Sequence, residues 1–144
     1  MTVTSGSQTT DPIACSAGVT VSLPIVITFC DTVTDVSKSE CEALMDIYDT
    51  NGGTDWTADT GWGTSTTVCS WFGVTCDAGE DHVTFLDLPN NNMSGAFGLS
   101  QGNLNVLSGL DLSGNNLSSF IGTRMSALAS LDLSNNQLTS FSGS

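Results

Sequence analysis

From Val83 onward the apolar positions fall into three copies of one phrase. They are Val83-Thr-Phe-Leu-Asp-Leu-Pro-Asn-Asn-Asn-Met93, Leu107-Ser-Gly-Leu-Asp-Leu-Ser-Gly-Asn-Asn-Leu117 and Leu128-Ala-Ser-Leu-Asp-Leu-Ser-Asn-Asn-Gln-Leu138. The copies begin 24 and then 21 residues apart. Within each, the Leu-x-Leu core (86 and 88, 110 and 112, 131 and 133) predicts a short strand with both leucines on one side and an aspartate on the other. An asparagine follows at 91, 115 or 136, where its amide can satisfy buried backbone groups as the chain turns. Upstream, residues 19–29 alternate: Val19, Val21, Leu23, Ile25, Ile27 and Phe29 share one face. This predicts a strand of roughly 35 Å, with Pro24 at a sheet edge. It pairs either with this chain's own cap or with a neighbouring molecule by strand addition. Between these regions Cys41, Leu44, Ile47 and Tyr48 recur at helical spacing. Ser39 and Glu42 read as a capping box at the start of that helix, and Asn51-Gly52-Gly53 as its stop.

The three copies fit the pattern L-x-x-L-x-L-x-x-N-x-L of a leucine-rich repeat. Ahead of them, Cys69-Ser-Trp-Phe-Gly-Val-Thr-Cys76-Asp, followed by His82-Val83, resembles the N-terminal cap of plant-type and protist extracellular leucine-rich repeat proteins. Residues 43–56 and Gly61-Trp62 resemble that family's cap helix and tryptophan loop, so the likeness covers about residues 40–144. It implies an α/β repeat fold, a short solenoid of about three coils with a disulfide-bonded N-terminal cap, to which the alternation adds an N-terminal strand at 19–29. The corresponding divisions are a Ser/Thr-rich leader at 1–38, the cap at 39–82 and the repeats at 83–144. The resemblance implies a Cys69–Cys76 disulfide. Cys41 matches a cap cysteine whose usual partner position is occupied here by Val68, and we assign Cys30 to it, leaving Cys15 free or intermolecular. Connectivity is not a property that sequence alone dictates. Trp56, Trp62 and Trp71 form either the core of the cap or a platform for carbohydrate, and the first reading is preferred because large aromatics mostly fill cores.

Charge narrows the partners. The chain has 15 acidic and 2 basic side chains and a formal net charge of −13, which disfavours nucleic acid and anionic membranes. Five cysteines in a small acidic chain favour an oxidising compartment. No signal peptide is visible at Met1-Thr-Val-Thr-Ser and no stretch is long enough to span a membrane. Asn92-Met-Ser94 and Asn116-Leu-Ser118 are acceptor sequences for N-linked glycan, and Ser/Thr clusters at 5–10 and 64–67 could carry O-linked sugar. Asp87, Asp111 and Asp132 share the outward site between the leucines and should form one column. They are weak candidates for a divalent ion such as calcium, set against the plain fact that Leu-Asp-Leu-Ser is ordinary wording in such repeats. The segment from Asp49 to Asp55 faintly resembles a calcium loop but has Thr60 where that motif needs glutamate. His82 stands alone, and no nucleophile, metal-protease or phosphate-loop motif occurs. No cofactor is expected, and the protein reads as a non-enzyme.

Two functions follow. In the first, the molecule is an extracellular or cell-surface structural subunit. It would assemble head-to-tail with copies of itself through Leu131, Leu133 and Leu138 of its uncapped last copy and through the strand bearing Val19, Val21, Leu23, Ile25, Ile27 and Phe29. In the second, it belongs to a secreted or receptor-like recognition protein that binds peptide or glycan on its concave face.

Overall fold

The computed structural model describes residues 27–100 and 103–144. Residues 19–26 of the predicted leader strand lie outside them. Its described end is not a strand: Ile27 is exposed coil and Phe29 opens a 3-10 turn, Phe29–Asp31. The cause is local. The Thr28 N–H and hydroxyl both donate to the Asp31 carboxylate, at 2.7 and 3.0 Å. Cys30, bonded to Cys41, then bends the chain towards the helix, and the Phe29 ring packs 6.1 Å from Trp71.

Helix α1 spans Lys38–Thr50 and begins two residues earlier than the pattern predicts, with Ser37 as N-cap. Ser-x-x-Glu occurs twice in overlapping register, at 37/40 and 39/42. The first is selected because Glu40 has a use inside the fold. Ser37 Oγ accepts from the Glu40 N–H at 3.3 Å and donates to Glu40 Oε2 at 3.1 Å. Glu40 Oε1 then accepts the Val83 N–H at 3.0 Å, at the start of the first repeat. The carboxylate is only 3% exposed, so the far end of this contact, 43 residues away, decides where the helix starts. Cys41, Leu44 and Ile47 are buried as their spacing requires.

Each repeat contributes one strand to each of two sheets. The first sheet contains β1 (Val74–Cys76), β2 (Val83–Asp87), β4 (Gly109–Asp111) and β6 (Ser130–Asp132), in that order. The β1 strand is antiparallel to β2, and the others are parallel. The second sheet, parallel throughout, contains β3 (Ser94–Ser100), β5 (Asn116–Thr123) and β7 (Ser140–Gly143). Leu86, Leu88, Leu110, Leu112, Met93 and Leu117 fill the space between them and are almost wholly buried.

Two ladders hold the repeats in register. In one, Asn115 Oδ1 accepts the Asn91 and Met93 N–H groups, each at 2.9 Å, and Nδ2 donates to the Leu88 and Leu112 carbonyls. Asn136 repeats this towards Leu117 N–H and Leu112 O, and Asn91 does so towards Ala58 in the preceding loop. The other ladder is aromatic. Phe97, Phe120 and Phe141 stack with centroids 5.7 and 5.4 Å apart and planes within 4° and 11° of parallel. Phe97 comes one residue later in its copy than the other two, and the pairing of β3 with β5 shifts between Gly95 opposite Leu117 and Ala96 opposite Ser119, where Ser118 is the extra residue of β5.

The first repeat is covered on both sheets. Along the first sheet, β1 supplies the antiparallel neighbour. Along the second, Asn51 at the C-cap of α1 donates from Nδ2 to the Ser94 and Ala96 carbonyls of β3, at 2.9 and 3.0 Å. Trp56, Trp62 and Trp71 form a chain of ring contacts 5.0 Å apart, with Tyr48 set against the first two. All three tryptophans are buried, and each indole N–H donates at 2.9 Å to a backbone carbonyl, of Asn51, Phe72 and Ser65 respectively. They are core, not an open platform for sugar. Gly73, inside the Trp-Phe-Gly-Val motif, has φ 78°, and a β-carbon there would overlap the Asp87 carbonyl, so only glycine fits.

Candidate functional site

The outward face of the first sheet is built from two rows set by strand register. Thr75 lies opposite Phe85, Phe85 opposite Gly109, and Gly109 opposite Ser130; one step along, Asp87, Asp111 and Asp132 align. Alternation sends Leu86 and Leu88 inward, and Phe85 and Asp87 outward. Phe85 is 47% exposed. Its ring lies across the next strand in the space a side chain at 109 would fill, so a β-carbon on Gly109 would overlap it. Phe85, Gly109, Asp87, Asp111, Thr75 and Ser130 line a shallow groove of about 270 Å³.

The aspartate column is thus real, but its members differ. Asp111 Oδ1 accepts the Ser113 N–H at 2.9 Å and the Ser113 hydroxyl at 2.6 Å. Asp132 makes the same pair with Ser134, and the Ser134 hydroxyl and N–H hold its carboxyl below the usual carboxylate range. At Asp87 the equivalent position is Pro89, which has no N–H to give. The serines turn one carboxylate oxygen back along the chain in two of the three copies. Among the described residues no group of three or more His, Cys, Asp or Glu side chains is placed to hold a metal ion, so the calcium candidate has no ligand cluster behind it.

The remaining expected residues are dispersed. Cys30 is bonded to Cys41 and Cys69 to Cys76. Asn92 and Asn116 are both exposed and adjacent. Leu131, Leu133 and Leu138 are half-buried at the last repeat, beside Phe141, which is 59% exposed. His82 sits 3.2 Å from Glu40 Oε2. Sequence reasoning missed Glu40 and Asp35, whose roles lie across the chain. Asp35 accepts N–H groups of Val68 and Cys69 at 3.0 and 2.8 Å. Burial pushes its carboxyl up, but the N–H groups of Cys69, Val36 and Val68 outweigh it and leave it below the ordinary value. The phenylalanine ladder was also missed, although Phe97, Phe120 and Phe141 recur three or four residues after the closing apolar site and could have been found by aligning further.

A leucine-rich repeat family model matches residues 127–144. The chain is 43% identical over 61 residues to receptor-like protein 3 of Arabidopsis thaliana, across 42% of this chain and 8% of that protein. It is 34% identical over 67 residues to the LRR receptor-like serine/threonine-protein kinase EFR of the same plant, across 46% of this chain and 6% of that protein. The chain therefore spans a small fraction of the length of these relatives. No solved structure matches it. The matched repeat and the receptor-like relatives support a leucine-rich repeat protein, and the two-sheet α/β architecture with its disulfides fits that fold. Among the described residues no helix is long and apolar enough to cross a membrane.

Proposed function

We propose that this chain is a non-enzymatic recognition module, a short leucine-rich solenoid of about three coils, which binds an extended peptide on the face of its first sheet. In this reading residues 39–82 form an N-terminal cap of the plant and protist type, residues 83–144 form the repeats, and residues 1–38 form the leader. The observation that carries the reading is the register that sets an exposed aromatic ring beside a column of three aspartates. An apolar side chain of a ligand would lie against Phe85, and a lysine or arginine beside it would meet Asp87 and Asp111. Opposite charges across an interface raise the encounter rate and fix register. The test is a peptide array of extended sequences, with and without basic residues, probed with the full chain. Binding that needs a basic residue beside an apolar one, and that weakens in Phe85→Ala and Asp111→Asn, supports the reading. Equal binding by neutral peptides, or none at all, removes it.

A second reading rests on a different surface. Among the described residues Leu131, Leu133 and Leu138 are half-buried and Phe141 is exposed, and a second copy of the chain could stack there head-to-tail. Phe141 would extend the ring ladder into the neighbour. Size-exclusion chromatography with light scattering decides it: a stable monomer at micromolar concentration rules out assembly.

A further inference from the structure

The two acceptor sequences, Asn92-Met93-Ser94 and Asn116-Leu117-Ser118, stand one repeat apart in sequence and side by side in space. Asn116 Nδ2 donates to Asn92 Oδ1 at 3.2 Å. Both residues are exposed, as are Ser94 and Ser118. They differ in what their amides do. Asn92 Nδ2 donates to the Asp55 carbonyl at 3.0 Å, and its backbone is held in the left-handed region with φ 60°. Asn116 Nδ2 spends its bond on an exposed side chain alone. The third repeat carries Gln137 at this position, so the row ends there. The row lies where the chain crosses from the first sheet to the second, after the aspartate column in each repeat, and leaves the groove uncovered.

We propose that Asn116 is an N-glycan acceptor and that the stacked pair takes a single glycan, with Asn92 left unmodified. The reaction needs a lipid-diphosphate-linked oligosaccharide as donor. A bond forms between Asn116 Nδ2 and C1 of the first sugar, the bond from C1 to the diphosphate oxygen breaks, and the amide loses one proton as the lipid diphosphate leaves. The modified amide keeps one N–H, enough to donate to Asn92 Oδ1. Neighbouring strands stand about 4.8 Å apart, so two sugars anchored in adjacent repeats would contest the same space. A sugar on Asn92 would also have to be accommodated beside the Asp55 carbonyl. Glycan here is bulky and solubilising and shields one flank of the repeats while both sheet faces stay open. The inference rests on passage through a secretory pathway and is independent of the peptide-binding reading.

The experiment is secretion of the full chain from insect cells behind a cleavable leader. Intact mass is measured before and after N-glycosidase, and the site is located by the Asn-to-Asp conversion the enzyme leaves. The expected result is one glycan at residue 116 in the parent chain, none in Asn116→Gln, none in Ser118→Ala and one in Asn92→Gln. Ser118→Ala keeps the Asn116–Asn92 contact, so it stays informative if Asn116→Gln secretes poorly. An unmodified parent chain, a doubly modified one, or glycan on Asn92 in any variant overturns the proposal.

Discussion

Replacing Asn115 by alanine should be far more damaging than replacing Asn136, its counterpart on the last rung. Asn115 is 4% exposed. Its side-chain oxygen accepts two backbone N–H groups, of Asn91 and Met93, and its amide satisfies the Leu88 and Leu112 carbonyls. Alanine leaves both donors buried with nothing to bond. A buried donor stripped of its partner costs about 1–3 kcal/mol, so the two together should cost about 4 kcal/mol, with the carbonyls adding less because unsatisfied acceptors are better tolerated. Total stability of a domain is about 5–15 kcal/mol, which makes this a large fraction. Asn136 accepts a single N–H, of Leu117, and is half-buried. Water can replace it there, so Asn136→Ala should cost about 1 kcal/mol. Urea denaturation followed by tryptophan fluorescence measures both, with exposed Asn116→Ala as the control within about 0.5 kcal/mol of the parent. If Asn115→Ala loses under 1 kcal/mol, or no more than Asn136→Ala, the ladder does not hold the repeats in register in the way described.

Phe120→Ala should cost about 3–5 kcal/mol, because the ring is fully buried between Phe97 and Phe141; Phe141→Ala, at the exposed end, should cost under about 1 kcal/mol in the same denaturation assay. Gly109→Val should push the Phe85 ring off the sheet, with a loss of about 1–3 kcal/mol that Phe85→Ala in the same chain relieves. Removing Cys30–Cys41, which closes a short loop between residues 11 apart, should cost about 2–3 kcal/mol and loosen the packing of Phe29 on Trp71, read as a shift in tryptophan emission. The Lys38 ammonium, 2.9 Å away, and the Thr28 N–H and hydroxyl hold the exposed Asp31 carboxyl at about 2 instead of 3.8. A depressed folded value means its contribution is present above about pH 4 and fades as pH falls towards 2, so carboxyl NMR should find Asp31 titrating near 2, and nearer 3.8 in Lys38→Met.

The Leu-x-Leu pairs, the asparagine sites and the helical face of Cys41, Leu44 and Ile47 were legible from the chain because each is a local periodicity that backbone geometry imposes. The aspartate column was legible for the same reason: a residue between two inward leucines must point outward, and parallel stacking aligns the copies. The second sheet was not. Its strands carry Ser, Gly and Phe in place of a leucine alternation, and only the stacking of Phe97, Phe120 and Phe141 across repeats gives them a pattern. The leader shows the opposite failure. A strict alternation predicted strand through Phe29, but the Thr28–Asp31 turn, the bond to Cys41 and the Trp71 ring set the conformation at Ile27–Asp31.

Sequence by itself settled the repeat, its period and which residues face in or out, since those follow from side-chain spacing along a strand. Tertiary structure decided what spacing does not encode. It chose between two overlapping capping boxes through the contact from Glu40 to Val83, and it laid Phe85 over Gly109 to shape the groove. It also set Asn92 against Asn116 with unequal partners. Each of these depends on a group 24 to 43 residues away, and such a partner exerts its force only after the chain has folded.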